Sequence, residues 1–170
     1  TTGNTLSLHD ALPISLSHGT EMNLRIPALI PDDYLPDVHN RLMLYKRIAS
    51  VKNEDELKEL QVEMIDRFGL LPEPAKNLVN QTRLRIKAEA LGVNKVDAGR
   101  EWVRLEFGES TPVDPLELVK KVQSAPDTYK LEGANSFGFR LNDDSTSGKL
   151  DGIAEMLREL TPAEAARKAS

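Results

Sequence analysis

Residues 37–74 constrain the fold more than any other part of this chain. The run DVHNRLMLYKRIASVKNEDELKELQVEMIDRFGLLPEP holds two amphipathic stretches, a capping signal between them, and a glycine before a proline-bounded turn. In the first stretch Val38, Leu42, Tyr45, Ile48 and Ala49 recur at helical spacing, from a start expected near Leu35 or Pro36. Asn53 with Glu56 three residues on reads as a capping box. Leu57, Leu60, Met64, Ile65 and Phe68 then supply the apolar face of a second helix, and Gly69 is expected to stop it in the left-handed conformation. Two stripes on a short link predict an antiparallel helical hairpin.

Pro74 suits the first turn of a third helix, whose expected face is Leu78, Val79, Thr82, Ile86 and Ala90, with Gly92 ending it. The period then changes. Residues 93–97 and 101–107 read as strands around a turn at Ala98 and Gly99, with Val103, Leu105 and Phe107 alternating against Trp102, Arg104 and Glu106. Trp102 falls on the nominal outer side, and packing against a helix is favoured for it over a role in an interface. Asp114, Pro115 and Glu117 open a helix with Leu118, Val119 and Val122 on its apolar side. Residues 129–132 and 137–141 form a second expected hairpin around Gly133, Ala134 and Asn135. A last helix carries Leu150, Ile153, Leu157 and Leu160. The fold class is α+β: an N-terminal three-helix region, then a strand-strand-helix-strand-strand-helix region with an antiparallel sheet.

The ends read differently. Residues 1–20 are set aside as an unrelated or disordered arm, since TLSLHDALPIS has no clear period and resembles a translated sequencing adapter. Residues 21–36 are an extended lead-in. Within it NLRIPALIP, 23–31, is interrupted by Pro27 and Pro31 and reads as an edge strand or a strap across the core. Residues 37–160 make the folded domain and 161–170 a frayed tail.

The sequence offers little chemistry. The 170 residues include no cysteine, so disulfides, thiolate metal sites and cysteine nucleophiles are excluded. This suits the cytoplasm, the expected location. Neither a GxxxxGK[ST] nor a GxGxxG loop occurs, so no nucleotide cofactor is expected, and no metal or catalytic residue is assigned. No apolar run approaches the ~20 residues that span a bilayer. His39 sits off the main helical stripe and reads as a surface histidine. The acidic run 53–56 reads as a helix start, where negative charge favours the macrodipole. Glu63 and Asp66 lie three apart, on one side of the second helix. They form either a solvated face or an acidic patch that pairs with arginine on another domain. Arg41, Lys46, Arg47, Arg83, Arg85 and Lys87 leave nucleic-acid binding as an alternative, opposed by a net charge of −5 and by 5% aromatic content.

The segments IPALIPDDYLPDVHNRLMLYKRIAS, NEDELKELQVEMIDRFGLLPEPAKNL and LRIKAEALGVNKVD resemble the C-terminal domain of the bacterial transcription-repair coupling factor, with IDRFGLLPEP the most specific part. The resemblance runs from about residue 22 to 160. It implies a parent that recognises stalled RNA polymerase, translocates on duplex DNA with ATP, and recruits excision-repair proteins. It further implies that this domain is not an enzyme, needs no cofactor, packs on the parent's UvrB-like module, and masks the surface that binds UvrA. Glu63 and Asp66 match the acidic positions that face arginines of that module. The motor and the polymerase-interaction module of the parent have no counterpart here, and the arm 1–20 does not match, which fits a truncated reading frame. The alternative is an accessory nucleic-acid-binding domain of the same translocase.

Overall fold

The computed structural model describes residues 19–163. All but Gly19 and Thr20 of the expected arm, and all but 161–163 of the expected tail, lie outside the described residues. The chain divides into two compact units. One contains Pro27–Ile86, the other Thr20–Ile26 and the chain from Lys87 onward.

The first unit is helical, built from α1 (Val38–Ser50), α2 (Glu54–Phe68) and most of α3 (Glu73–Ala90). α1 begins at Val38 rather than at Leu35 or Pro36, because the Asp37 carboxylate accepts the Asn40 N–H at 3.0 Å and caps the helix there. Its buried residues are Leu44 and Ile48, four apart, while Val38 is 57% exposed. The expected stripe was therefore rotated: the first turn projects past the core, and Leu44, absent from that stripe, enters it. Tyr45 is only partly buried, and its hydroxyl accepts the Ile30 N–H at 2.8 Å.

Asn53 caps α2 by accepting the Glu56 N–H at 2.9 Å. The Glu56 carboxylate reaches back to the N–H of Lys52 at 2.9 Å, one residue beyond the Asn53 N–H that a capping box uses. Leu57, Leu60 and Met64 are buried, and Ile65 and Phe68 pack partly buried against the same core. Gly69 has the expected positive φ of +94°, yet its ψ of −176° is extended, so it is not a left-handed cap. That region is essentially confined to glycine, and it lets the chain turn out of α2 toward the buried Leu71. In α3 the buried set is Ala75, Asn77, Val79, Thr82, Leu84 and Ala88, whereas Ala90 is exposed. One stripe was expected. The helix is buried on more than one side, and small Ala75 and Ala88 admit close neighbours.

The second unit is a five-stranded sheet with two helices. Its elements are β1 (Glu21–Asn23), β2 (Val93–Ala98), β3 (Trp102–Phe107), α4 (Pro115–Ser124), β4 (Tyr129–Glu132), β5 (Ser136–Arg140) and α5 (Thr146–Leu160). The order is β1-β2-β3-β5-β4. The two expected hairpins join antiparallel through β3 and β5, with Leu105 beside Phe137. Only β1 runs parallel to its neighbour, Met22 lying beside Val96. The lead-in thus becomes an edge strand earlier than 23–31, because Arg25 takes a φ of +55° and Pro27 cannot donate to a ladder. Alternation along β3 holds as read: Val103, Leu105 and Phe107 are buried. So do the apolar positions of α5, where Met156 joins Leu150, Ile153, Leu157 and Leu160.

Trp102 departs from the favoured reading. No helix covers it. The Lys130 ammonium lies 4.2 Å from its ring centroid and the Arg140 guanidinium 5.4 Å. The register pairs Trp102 with Arg140 on the outer face, where a cation over the indole is favourable.

Candidate interdomain interface

Glu63 and Asp66 both stand on α2, and their surroundings differ. Glu63 is half-exposed. Its two carboxylate oxygens receive Arg47 Nη1 at 2.5 Å and Nη2 at 2.8 Å, a bidentate pair that ties α1 to α2. Arg67, one turn along α2, adds a third hydrogen bond at 3.1 Å. The hydrogen bond from Arg47, then that from Arg67, holds the Glu63 carboxyl down at about 2, against an ordinary 4.5. Asp66 is exposed and forms no ion pair among the described residues. The supposed acidic patch is therefore mixed in charge, with two guanidiniums on Glu63 and one uncompensated carboxylate beside them.

The rim of this patch is aromatic and apolar. The Arg67 guanidinium lies 4.8 Å from the Phe68 ring centroid. Phe68 meets Tyr34 edge-on at 6.1 Å. The Tyr34 hydroxyl donates to the carbonyl of Gly69 at 2.9 Å and fixes the turn after α2. Leu70, just past that turn, is 84% exposed, more than any other large apolar residue among those described. Arg67 could be read from its spacing to Glu63. Arg47 could not, because its claim depends on the register of the hairpin.

The other charges noted in the sequence are mostly engaged within the first unit. Arg41 donates to the carbonyls of Leu35 and Pro36 at 2.7 and 2.9 Å. Arg83 pairs with Glu54 and also donates to Asn80 at 2.8 Å. Arg85 donates to the Val51 carbonyl at 2.9 Å, beyond the end of α1. Four of the six basic side chains noted in sequence are thus tied to carboxylate or carbonyl oxygens, leaving Lys46 and Lys87 exposed. Among the described residues no three of His, Asp or Glu gather where they could hold a metal ion. None of the described helices is long and apolar enough to cross a membrane.

Comparison with known proteins identifies the family of the chain. A family model, the TRCF domain, matches residues 24–118. The transcription-repair-coupling factor of Escherichia coli (strain K12) is 42% identical over 144 residues, 85% of this chain and 12% of that protein. The Haemophilus influenzae factor is 41% identical over 140 residues, 82% of this chain and again 12% of that one. A crystal structure of the C-terminal domain of transcription-repair coupling factor superposes with a TM-score of 0.68 at 25% identity, covering 84% of this chain and 93% of that one. The chain spans about an eighth of the length of these two curated relatives.

Proposed function

This chain belongs to the transcription-repair coupling factor family as its C-terminal TRCF domain, and from that premise we propose that it is the regulatory, non-catalytic piece of the parent in transcription-coupled excision repair. In this reading the domain packs on the parent's UvrB-like module through α2 and masks the surface that UvrA binds. The parent engages RNA polymerase and DNA, and its motor, not this domain, uses ATP. The setting is cytoplasmic.

The observation that carries the reading is Asp66, on the same helix as Glu63, exposed and without an ion pair among the described residues. A partner arginine can approach Asp66 directly. At Glu63 it must displace or share Arg47 and Arg67. An exposed ion pair contributes roughly 0.2–1 kcal/mol, so a contact of this kind is weak per pair and reversible, as a clamp that opens requires. Asp66 carries more of the electrostatic contact than Glu63, although the family pattern treats the two alike.

The test is binding of this chain to the purified UvrB-like module of the same factor, with UvrA as competitor. Saturable binding displaced by UvrA is expected. Asp66→Arg weakens it more than Glu63→Gln, which leaves the partner arginines without repulsion. Unchanged affinity after Asp66→Arg together with Glu63→Arg would sink the assignment of this face.

A further inference from the structure

The second unit holds a groove of about 240 Å³ that the reading above does not use. Its walls include Phe107, Val113, Leu118, Val119, Leu131 and Asn135. One of the two exposed large apolar residues of this unit lines it, and the other follows a lining residue in sequence. Leu131, 46% exposed, forms part of the wall, and Leu116, 64% exposed, lies between the lining residues Pro115 and Leu118. The volume is below the ~300 Å³ at which small-molecule pockets begin. It suits one large side chain.

Beside the groove runs β4, the last strand of the sheet. The Arg140 N–H donates to the Thr128 carbonyl at 2.8 Å. Antiparallel pairing alternates bonded and non-bonded residues. Lys130 and Glu132 therefore turn their backbone groups toward β5, while the N–H and carbonyl of Leu131 face the open side. A strand laid against that side would place every second side chain on the groove's face of the sheet. Two exposed carboxylates without an ion pair among the described residues neighbour the lining residues in sequence, and that of Asp114 also caps α4 by accepting the Leu116 N–H at 3.0 Å. Glu109 follows the lining residue Gly108, and Asp114 sits between the lining residues Val113 and Pro115.

We propose that β4 and this groove form a docking site for an extended segment of a partner protein, which adds as a sixth strand and inserts one apolar side chain, with lysine or arginine flanking it. Backbone pairing with Leu131 supplies the attachment and the groove the side-chain selection. Glu109 and Asp114 set the preference for a basic segment. The site is independent of Glu63 and Asp66, which belong to the other unit.

The experiment uses the full chain, labelled for amide NMR, and two blocked heptapeptides. Each has a central leucine between valines and threonines, and the ends are lysine in one and glutamate in the other. With the lysine peptide, the amides of Leu118, Leu131 and Gly133 shift saturably and exchange at the Leu131 N–H slows. The glutamate twin binds at least roughly tenfold more weakly. Leu131→Lys removes the response while the thermal midpoint stays unchanged, since that side chain is already half in solvent. Glu109→Lys narrows the gap between the two peptides and leaves the fold untouched. Silence at β4 with millimolar lysine peptide overturns the proposal, as does equal binding of both peptides. A protected Leu131 amide without peptide, together with a sedimenting dimer, overturns it too, because a second copy then occupies the edge.

Discussion

In the helical unit the core is assembled from neighbours in sequence. Leu44 and Ile48, then Leu57, Leu60 and Met64, then Ala75 and Val79 follow one another along three consecutive helices, with Leu71 joining from the turn before the third. In the sheet unit the partners are distant: Met22 lies beside Val96 and Leu105 beside Phe137. The first arrangement needs only short loops to close. The second must bring strands together across long stretches of chain, at a cost in loop entropy that grows slowly with length. Its edge strand is accordingly pinned at several points. The buried Thr20 hydroxyl donates to the Val93 carbonyl. The buried Lys149 ammonium donates to the Leu24 carbonyl at 3.1 Å. Arg25 reaches Asp97 at 2.5 Å and the Ala98 carbonyl at 2.7 Å. Local order sustains one unit, and a few long-range polar contacts complete the other.

The most severe way to break that comparison is to hollow each core in turn. Phe137 is fully buried in β5 and stacks on Tyr129 at a centroid distance of 5.8 Å. Phe137→Ala should cost about 3–5 kcal/mol, and Met64→Ala in α2 about 2–5 kcal/mol. Denaturation followed by Trp102 fluorescence reports the sheet unit, whereas far-UV circular dichroism is weighted to the helices. Phe137→Ala should move the Trp102 transition first, and Met64→Ala the helical one. Identical shifts in both signals for both variants would mean that the two units unfold as one, and the contrast would be confined to how the cores are built.

A finer contrast lies in two glycines that follow helices, one in each unit. Gly92 has a φ of +70°, and a Cβ there would meet the Ser110 carbonyl oxygen, with Thr111 Cα 2.9 Å away. Gly69 also has a positive φ, but a Cβ there meets nothing within 4 Å. Gly92→Ala therefore combines backbone strain with a clash against backbone. It should exceed the roughly 1–3 kcal/mol expected of a strained φ alone, whereas Gly69→Ala should stay inside that range. Thermal or chemical midpoints of the two variants decide it. Equal losses would mean that the Ser110–Thr111 segment yields freely.

The same contrast governs what could be read from the sequence. The strands of both hairpins, the alternation in β3, the Asn53 cap and the apolar positions of α5 were legible, because each depends on residues a few positions apart. The phase of α1 was not. Spacing alone does not separate Leu44 from Leu42, and only the packing of Ile30, Leu35 and α2 around it selects one side. Trp102 was misjudged because its cover comes from Lys130 and Arg140, which reach it only through the pairing of three strands. At the candidate interface, the shared side of Glu63 and Asp66 followed from helical spacing. Their unequal environments did not, since Arg47 arrives from another helix.

That inequality gives the smallest effect and the sharpest one. Glu63 has a folded-state pKa of about 2, below its ordinary 4.5. A lowered carboxylate pKa means that the folded state favours the charged form. The stabilisation is fully present above 4.5 and is lost as pH falls through 2. In the sheet unit Glu132 is also held below the usual range, by Lys130 first and Arg104 less. The two differ in their donors. Glu63 receives the planar, two-toothed grip of Arg47, whereas Glu132 receives the single Lys130 ammonium at 2.8 Å and a more distant Arg104 at 3.6 Å. Carboxyl carbon NMR across roughly pH 1.5–6 should therefore place the Glu63 midpoint lower than that of Glu132. Arg47→Ala should raise the Glu63 midpoint toward 4.5 by more than Arg67→Ala does, while leaving Glu132 where it was. A wild-type Glu63 that titrates like an ordinary glutamate would show that Arg47 is not held on it in solution. Glu63 would then be as open to a partner's arginine as Asp66, and the unequal division of the proposed contact would disappear.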